Sequence, residues 1–188
     1  MRFEEMLVGK REALVQGLAK EVLAAYPEDA AVLFQRQKDP FANPVGHSAR
    51  EGASEIVDAL LAESEDPEAV RESLEGIVRI RAVQQFSPST ALSFVFSLKS
   101  VIRKALPEAS RDPRHSEELA AVDARIDRLA LAAFDVYAEC REQVNQLRIN
   151  EVKRQVEWVV EKMNERDPSA WAPPEWSAKD RGPEGGTE

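Results

Sequence analysis

Arg81 is the residue whose position says most about possible chemistry. On a helical wheel with Val70 at the origin, Leu74, Ile77 and Gln84 all fall within about 40° of one direction, and Arg81 falls at about 20°, in the middle of that apolar face. Arg79 falls on the opposite side. A guanidinium among apolar side chains keeps its charge, so it calls for a carboxylate or a bound anion. Asp135 is the matching carboxylate, because Leu129 to Ala138 is apolar on every side except there, the signature of a central helix. The residues therefore predict an Arg81–Asp135 pair in the core. The functional alternative is an anionic or hydrophobic small molecule held near Arg81, Tyr137 and Phe134.

Other chemistry is sparse. The histidines are His47 and His115, and Cys140 is the lone cysteine. His115 follows Asp112-Pro113-Arg114 in an expected surface loop. His47 lies one turn into a helix starting at Pro44, with no second histidine beside it, whereas metal sites need several converging ligands. Cys140 falls on an apolar stripe and reads as a buried, inert thiol. There is no CxxC, HExxH, GxSxG, GxGxxG or Walker loop. We therefore expect no catalytic residue, no metal and no cofactor. A haem would need an axial ligand from a core helix, so a haem globin stands third among the readings.

One stretch is unusual in charge. Between Glu75 and Glu108 there is no acid, while Arg79, Arg81, Lys99, Arg103 and Lys104 all lie there. Neighbouring acidic helix faces would neutralise such an island. Alternatively, Arg79, Lys99, Arg103 and Lys104 form a surface for an acidic protein partner.

The elements that must position these residues are helical. Asn43-Pro44, Asp66-Pro67 and Ser87-Pro88 each put a capping side chain before a proline at the first helical position. We read six helices: about 2–25, 27–37, 44–62, 67–85, 88–105, and a long one within 114–167, a stretch that holds no glycine and no proline at all. The alternation at Leu92 to Phe96 is outvoted by the helical period around it. In the last segment Leu119, Val122, Ile126, Leu129, Ala133, Val136 and Cys140 step by three and four. Ile149, Val152, Val156, Val159 and Met163 do the same on a stripe out of phase with the first, across a polar junction at Arg141 to Arg148. A helix of that length spans roughly 70 Å, against roughly 40 Å for a domain of this size. So it either breaks and folds back, or its end projects as a seam for a second copy. We take the second, with residues 148–166 as the dimerising end of a domain over 1–166. The Pro-, Gly- and Glu-rich stretch 167–188, with Trp171 and Trp176, is expected to be a disordered tail.

Composition fits this picture. The chain has 188 residues and a net charge of −9, from 25 Lys and Arg against 34 Asp and Glu. That balance argues against nucleic-acid binding, which needs clustered cations facing phosphates. No apolar run is long enough for a membrane span, the N-terminus lacks the pattern of a signal peptide, and the single cysteine fits a reducing cytoplasm.

Three blocks resemble a known family. They are Asp39 to Gly46, then Arg79 to Gln84 with Phe86 to Ser89 and Ala91 to Lys99, then Arg125 to Asp127 through Phe134 to Tyr137 with Cys140 to Glu142 and Asn150 to Arg154. Together they resemble the RsbT co-antagonist RsbRD N-terminal domain family over about residues 5–160. The resemblance implies an all-α, globin-like bundle without haem, related to the sensory domains of stressosome proteins, which dimerise and continue through linker helices into a STAS domain. It also implies an aromatic near Gly17, which this sequence lacks. The sequence ends about where the STAS domain would begin, so we expect a stand-alone sensory or adaptor domain of signal transduction and stress response, not the phosphorylated scaffold. The resemblance carries over no catalytic residue.

Overall fold

The structure is a computed structural model, and it describes residues 3–36, 39, 41–62 and 66–166. Among these every regular element is helical: α1 (Phe3–Val8), α2 (Arg11–Leu23), α3 (Glu28–Arg36), α4 (Pro44–Leu61), α5 (Pro67–Val83), α6 (Pro88–Ala105), α7 (Pro107–Arg111), a 3-10 turn (Pro113–His115) and α8 (Ser116–Arg166). The all-α class and the long last helix are as expected. The expected tail at 167–188 lies outside the described residues.

The proline-marked starts are real caps. Asn43 Oδ1 accepts from Gly46 N at 2.8 Å, Asp66 Oδ1 from Glu68 N at 3.0 Å and Ser87 Oγ from Thr90 N at 3.3 Å. Each side-chain oxygen satisfies a backbone N–H that the first helical turn leaves without a partner.

Two boundaries differ from expectation. The first predicted helix is two, split at Gly9–Lys10, where glycine is the poorest helix former after proline. The split lets Phe3 reach the 3-10 turn, where its ring lies 5.7 Å from that of His115. His115 is thus half-buried rather than free on the surface, and its Nδ1 lies 2.6 Å from Glu118 Oε2. The helix α7 and the 3-10 turn occupy the stretch expected to be a loop.

Asp112 caps that turn, accepting from Arg114 N at 3.0 Å and pairing with the Arg114 guanidinium at 2.6 Å. Those hydrogen bonds, the side chain's first, pull its carboxyl down to about 2. A carboxyl depressed on folding contributes stability above its unfolded pKa, about 4, and that contribution is lost as pH falls through the folded value. Asp112→Asn should therefore lower the thermal midpoint at pH 7, and the gap to wild type should close between about pH 4 and pH 2.

The chain divides into two compact units, Met1–Arg141 and Glu142–Glu188. In the first, α2 packs against α4 and α6, and α4 against α5. The apolar stripes of α4 (Ala49, Ala53, Ile56, Val57, Leu60) and of α6 from Ala91 to Ile102 are buried together with the predicted stripe of α8 from Leu119 to Cys140. Gly17 brings α2 close to α6, since a Cβ there would stand 2.6 Å from Val101 Cγ1. Lys99 Nζ meets Asp127 at 2.7 Å and Arg103 meets Asp123 through both guanidinium nitrogens. Rising numbers on α6 match falling ones on α8, so the two helices run antiparallel. Arg71 Nη1 donates to Glu139 at 3.0 Å, tying α5 to α8.

Asn43 does more than cap. It is buried, and its Nδ2 donates to Phe34 O at 2.7 Å, fastening the end of α3 to the start of α4. A Cβ on Gly46 would collide with both the Asn43 amide and the Phe34 carbonyl. Because one of those atoms is backbone, relief requires the helices to separate. Gly46→Ala should cost about 1–3 kcal/mol in denaturant unfolding, the usual range for overpacking.

Candidate functional site

The polar centre of the first unit forms around the turn between α5 and α6. There Gln85 has φ of 64°, a left-handed conformation unusual for a residue with a side chain. Gln85 N donates to Ala82 O and Phe86 N to Arg81 O, each at 3.3 Å, so the last carbonyls of α5 find donors. Glycine normally fills this position without steric penalty. Gln85→Gly should therefore raise stability by up to about 1 kcal/mol, read as a higher denaturant midpoint.

Several aromatic groups converge on this turn. Tyr26 OH donates to Gln84 Oε1 at 2.9 Å, and the Tyr26 ring meets Phe86 edge-on at 5.7 Å. Tyr137 OH donates to Phe86 O at 2.7 Å, and Arg141 Nη1 to Ala82 O at 3.1 Å. Thus two side chains fasten α8 here, Arg141 to the end of α5 and Tyr137 to the turn that follows it.

Arg81 lies at the middle, 1% exposed. Its position in the core is the one the helical wheel predicts; its partner is not. Nη1 donates to Ala91 O at 2.8 Å and to Thr90 O at 3.3 Å in α6, and Nη2 donates to Val22 O in α2. The guanidinium carbon stands 4.8 Å from the centroid of Phe94 and 6.0 Å from that of Phe86. Val22 is in the last turn of α2, whose carbonyls lack intrahelical donors and carry the negative end of the helix dipole. Carbonyl oxygens and aromatic faces thus take the place expected for a carboxylate. Burial pushes the Arg81 pKa down to about 10, which leaves it charged at neutral pH. Its Nε has no hydrogen-bond partner.

Asp135 is exposed and takes no part. The all-round apolar stretch of α8 misled here: only one side of the helix meets the core, and Leu131 and Phe134 are 69% and 50% exposed. Tyr137 is buried but engages Phe86, so Arg81, Asp135, Tyr137 and Phe134 do not form one cluster. Of the basic stretch, Lys99 and Arg103 are paired with α8 acids, Arg79 lies 4.0 Å from Glu75, and Lys104 is exposed. His47 is exposed beside Glu51 at 3.6 Å, and Cys140 is buried. Among the described residues no group of three His, Cys, Asp or Glu converges as a metal site, and no helix is long and apolar enough to cross a membrane.

In the second unit, Ile149, Val152, Val156, Val159 and Met163 are between 40% and 57% exposed, and Trp158 beside them is 60% exposed. Arg148, Ile149, Val152, Lys153 and Val156 line a shallow groove there.

Helical periodicity does not single out Tyr26, Phe86 and Phe94 as members of this centre. Tyr26 is 58 residues from Gln84, and no local pattern announces such a contact. The Ser87-Pro88 cap is the available hint, because it places Phe86 in the turn.

These features define a class: an all-α domain whose buried polar centre joins the ends of α2, α5 and α6. The chain belongs to the RsbT co-antagonist protein rsbRD N-terminal domain family, whose sequence profile matches residues 12–152. That is a family of non-catalytic sensor or scaffold domains, and membership suggests a stressosome-type sensor or adaptor acting through protein–protein contacts. No curated protein and no solved structure matches the chain. The blocks that carry the resemblance have physical roles here. Asn43 and Gly46 join α3 to α4, and the segment from Arg81 to Pro88 builds the turn on which α2, α6 and α8 converge.

Proposed function

We propose that this chain is a non-enzymatic sensory or adaptor domain that pairs with a second copy of itself through residues 148–166. The observation that carries this reading is the exposed stripe from Ile149 to Met163. Its steps of three and four are those of a coiled-coil seam, and large apolar side chains at every step are far from the scattered exposure normal on a protein surface. A second copy offers the simplest complement, because two-fold pairing sets the same stripe against itself. The pairing of Lys99 and Arg103 within the domain favours this seam over the basic stretch as the principal contact.

The test is light scattering of the purified chain across a dilution series. A dimer mass at tens of micromolar, falling toward monomer on dilution, is the expected result. A monomer throughout that range removes the self-pairing reading.

A further inference from the structure

We infer that the stripe from Ile149 to Met163 is shaped for an amphipathic helix of a different protein, one whose own apolar stripe is flanked by Asp or Glu. The inference rests on the reading of this stripe as a helix-pairing seam and names the partner that fits it best. Where the charges lie carries it. In paired helices the positions that flank the seam choose the partner. Here they are Arg148, Gln155 and Lys162, which precede Ile149, Val156 and Met163, and Lys153 and Val160, which follow Val152 and Val159. None of the five is acidic, in a chain whose net charge is −9. The glutamates of the segment, Glu151, Glu157, Glu161 and Glu165, all lie about 120° or more around the helix from the middle of the stripe. Glu151 is engaged by Arg154 and Gln155, and Glu165 by Lys162 at 2.9 Å, all along the same helix. The weight therefore falls on Arg148 and Lys153, which line the shallow groove together with Ile149, Val152 and Val156.

A second copy matches the apolar stripe but not these charges. In a parallel pair Arg148 of one copy lies against Lys153 of the other, five residues on, and symmetry makes the contact twice. An antiparallel pair sets each flank against itself, and again no acid meets a cation. A helix with acidic flanks turns each of these repulsions into an attraction, which is how charge selects among partners that share one apolar pattern. Exposed charge pairs are individually weak. Self-pairing through the apolar stripe and a preference for an acidic partner are therefore compatible.

The test mixes the full chain with an isotope-labelled full-chain variant, Arg148→Glu/Lys153→Glu, which presents the same stripe with acidic flanks. Native mass spectrometry counts the two homodimers and the mixed dimer. Each exposed pair changes affinity by a few-fold, and two are reversed at once, so the mixed dimer should be favoured at least about 10-fold over random exchange. It then makes up about nine-tenths of all dimers, against about half at random. The preference should fade in about 1 M ammonium acetate, where the Debye length is about 3 Å. Arg154→Glu, on the side of the helix opposite the stripe, changes the net charge without touching a flank and should exchange at random. Arg148→Gln/Lys153→Gln removes the repulsion without adding acids. It should strengthen self-pairing a few-fold in light scattering, which keeps the test alive if the acidic variant misfolds. The inference is overturned if the folded acidic variant exchanges at random, if Arg154→Glu shows the same preference, or if the glutamine variant pairs no more tightly than the wild type. A monomeric wild type that still forms the mixed dimer would end the self-pairing reading and leave this inference standing. Wild-type dimers that exchange at random would do the reverse, and chains that form no dimer of any kind would end both.

Discussion

Val152→Glu/Val156→Glu should be monomeric under conditions in which the wild type is a dimer. Both positions lie on the exposed stripe, at 57% and 40% exposure, and neither belongs to the buried core. In a self-paired seam the double variant places four carboxylates in an apolar interface, two from each copy. A charge buried without a partner costs several kcal/mol. The dimer should weaken at least about 100-fold, equivalent to about 2.7 kcal/mol. Light scattering at tens of micromolar would then report monomer, while far-UV circular dichroism keeps the helicity of residues 3–141. Retained dimerisation in the double variant would move the contact elsewhere, and the exposed Leu131 and Phe134 would become the next surface to substitute.

Arg81→Met should cost about 2–4 kcal/mol of unfolding free energy, and Asp135→Ala should cost less than about 0.5. The first figure balances two effects. Methionine leaves Val22 O and the α6 carbonyls without the guanidinium, at about 1–3 kcal/mol for an orphaned buried acceptor. It also loses the packing of the planar cation on Phe94. Against this, the substitution removes the cost of burying a charge. Asp135 is exposed and takes no part in that network, so its loss should fall within the scatter of surface substitutions. The double variant should be additive within about 0.5 kcal/mol. A coupling energy of several kcal/mol would restore the Arg81–Asp135 pair. Lysine is not a substitute, because a single ammonium cannot present the planar fork that spans acceptors in two helices; Arg81→Lys should lie nearer to methionine than to wild type in the same measurement.

These expectations separate the parts of the molecule that local patterns can specify from those they cannot. Helix starts were legible because capping is local: an Asn, Asp or Ser before a proline supplies its own hydrogen bond within three residues. The buried stripes of α4, α6 and the first part of α8 were legible because amphipathic periodicity already records which face meets a core. Arg81 was placed in that core by the same rule. The split at Gly9 was less legible, because one glycine in an apolar helical pattern lowers stability only slightly. Packing of Phe3 against His115, more than 100 residues away, decided the outcome there.

The sequence by itself determined an all-α fold, the segments that form most of the helices, the core-facing residues and the burial of Arg81. Each follows from interactions between residues a few positions apart, or from how one helix distributes apolar side chains. Only the tertiary structure decided what meets the guanidinium. Every residue carries a carbonyl, so nothing in the sequence distinguished Val22, Thr90 and Ala91 as acceptors until the end of α2 came to lie against the start of α6.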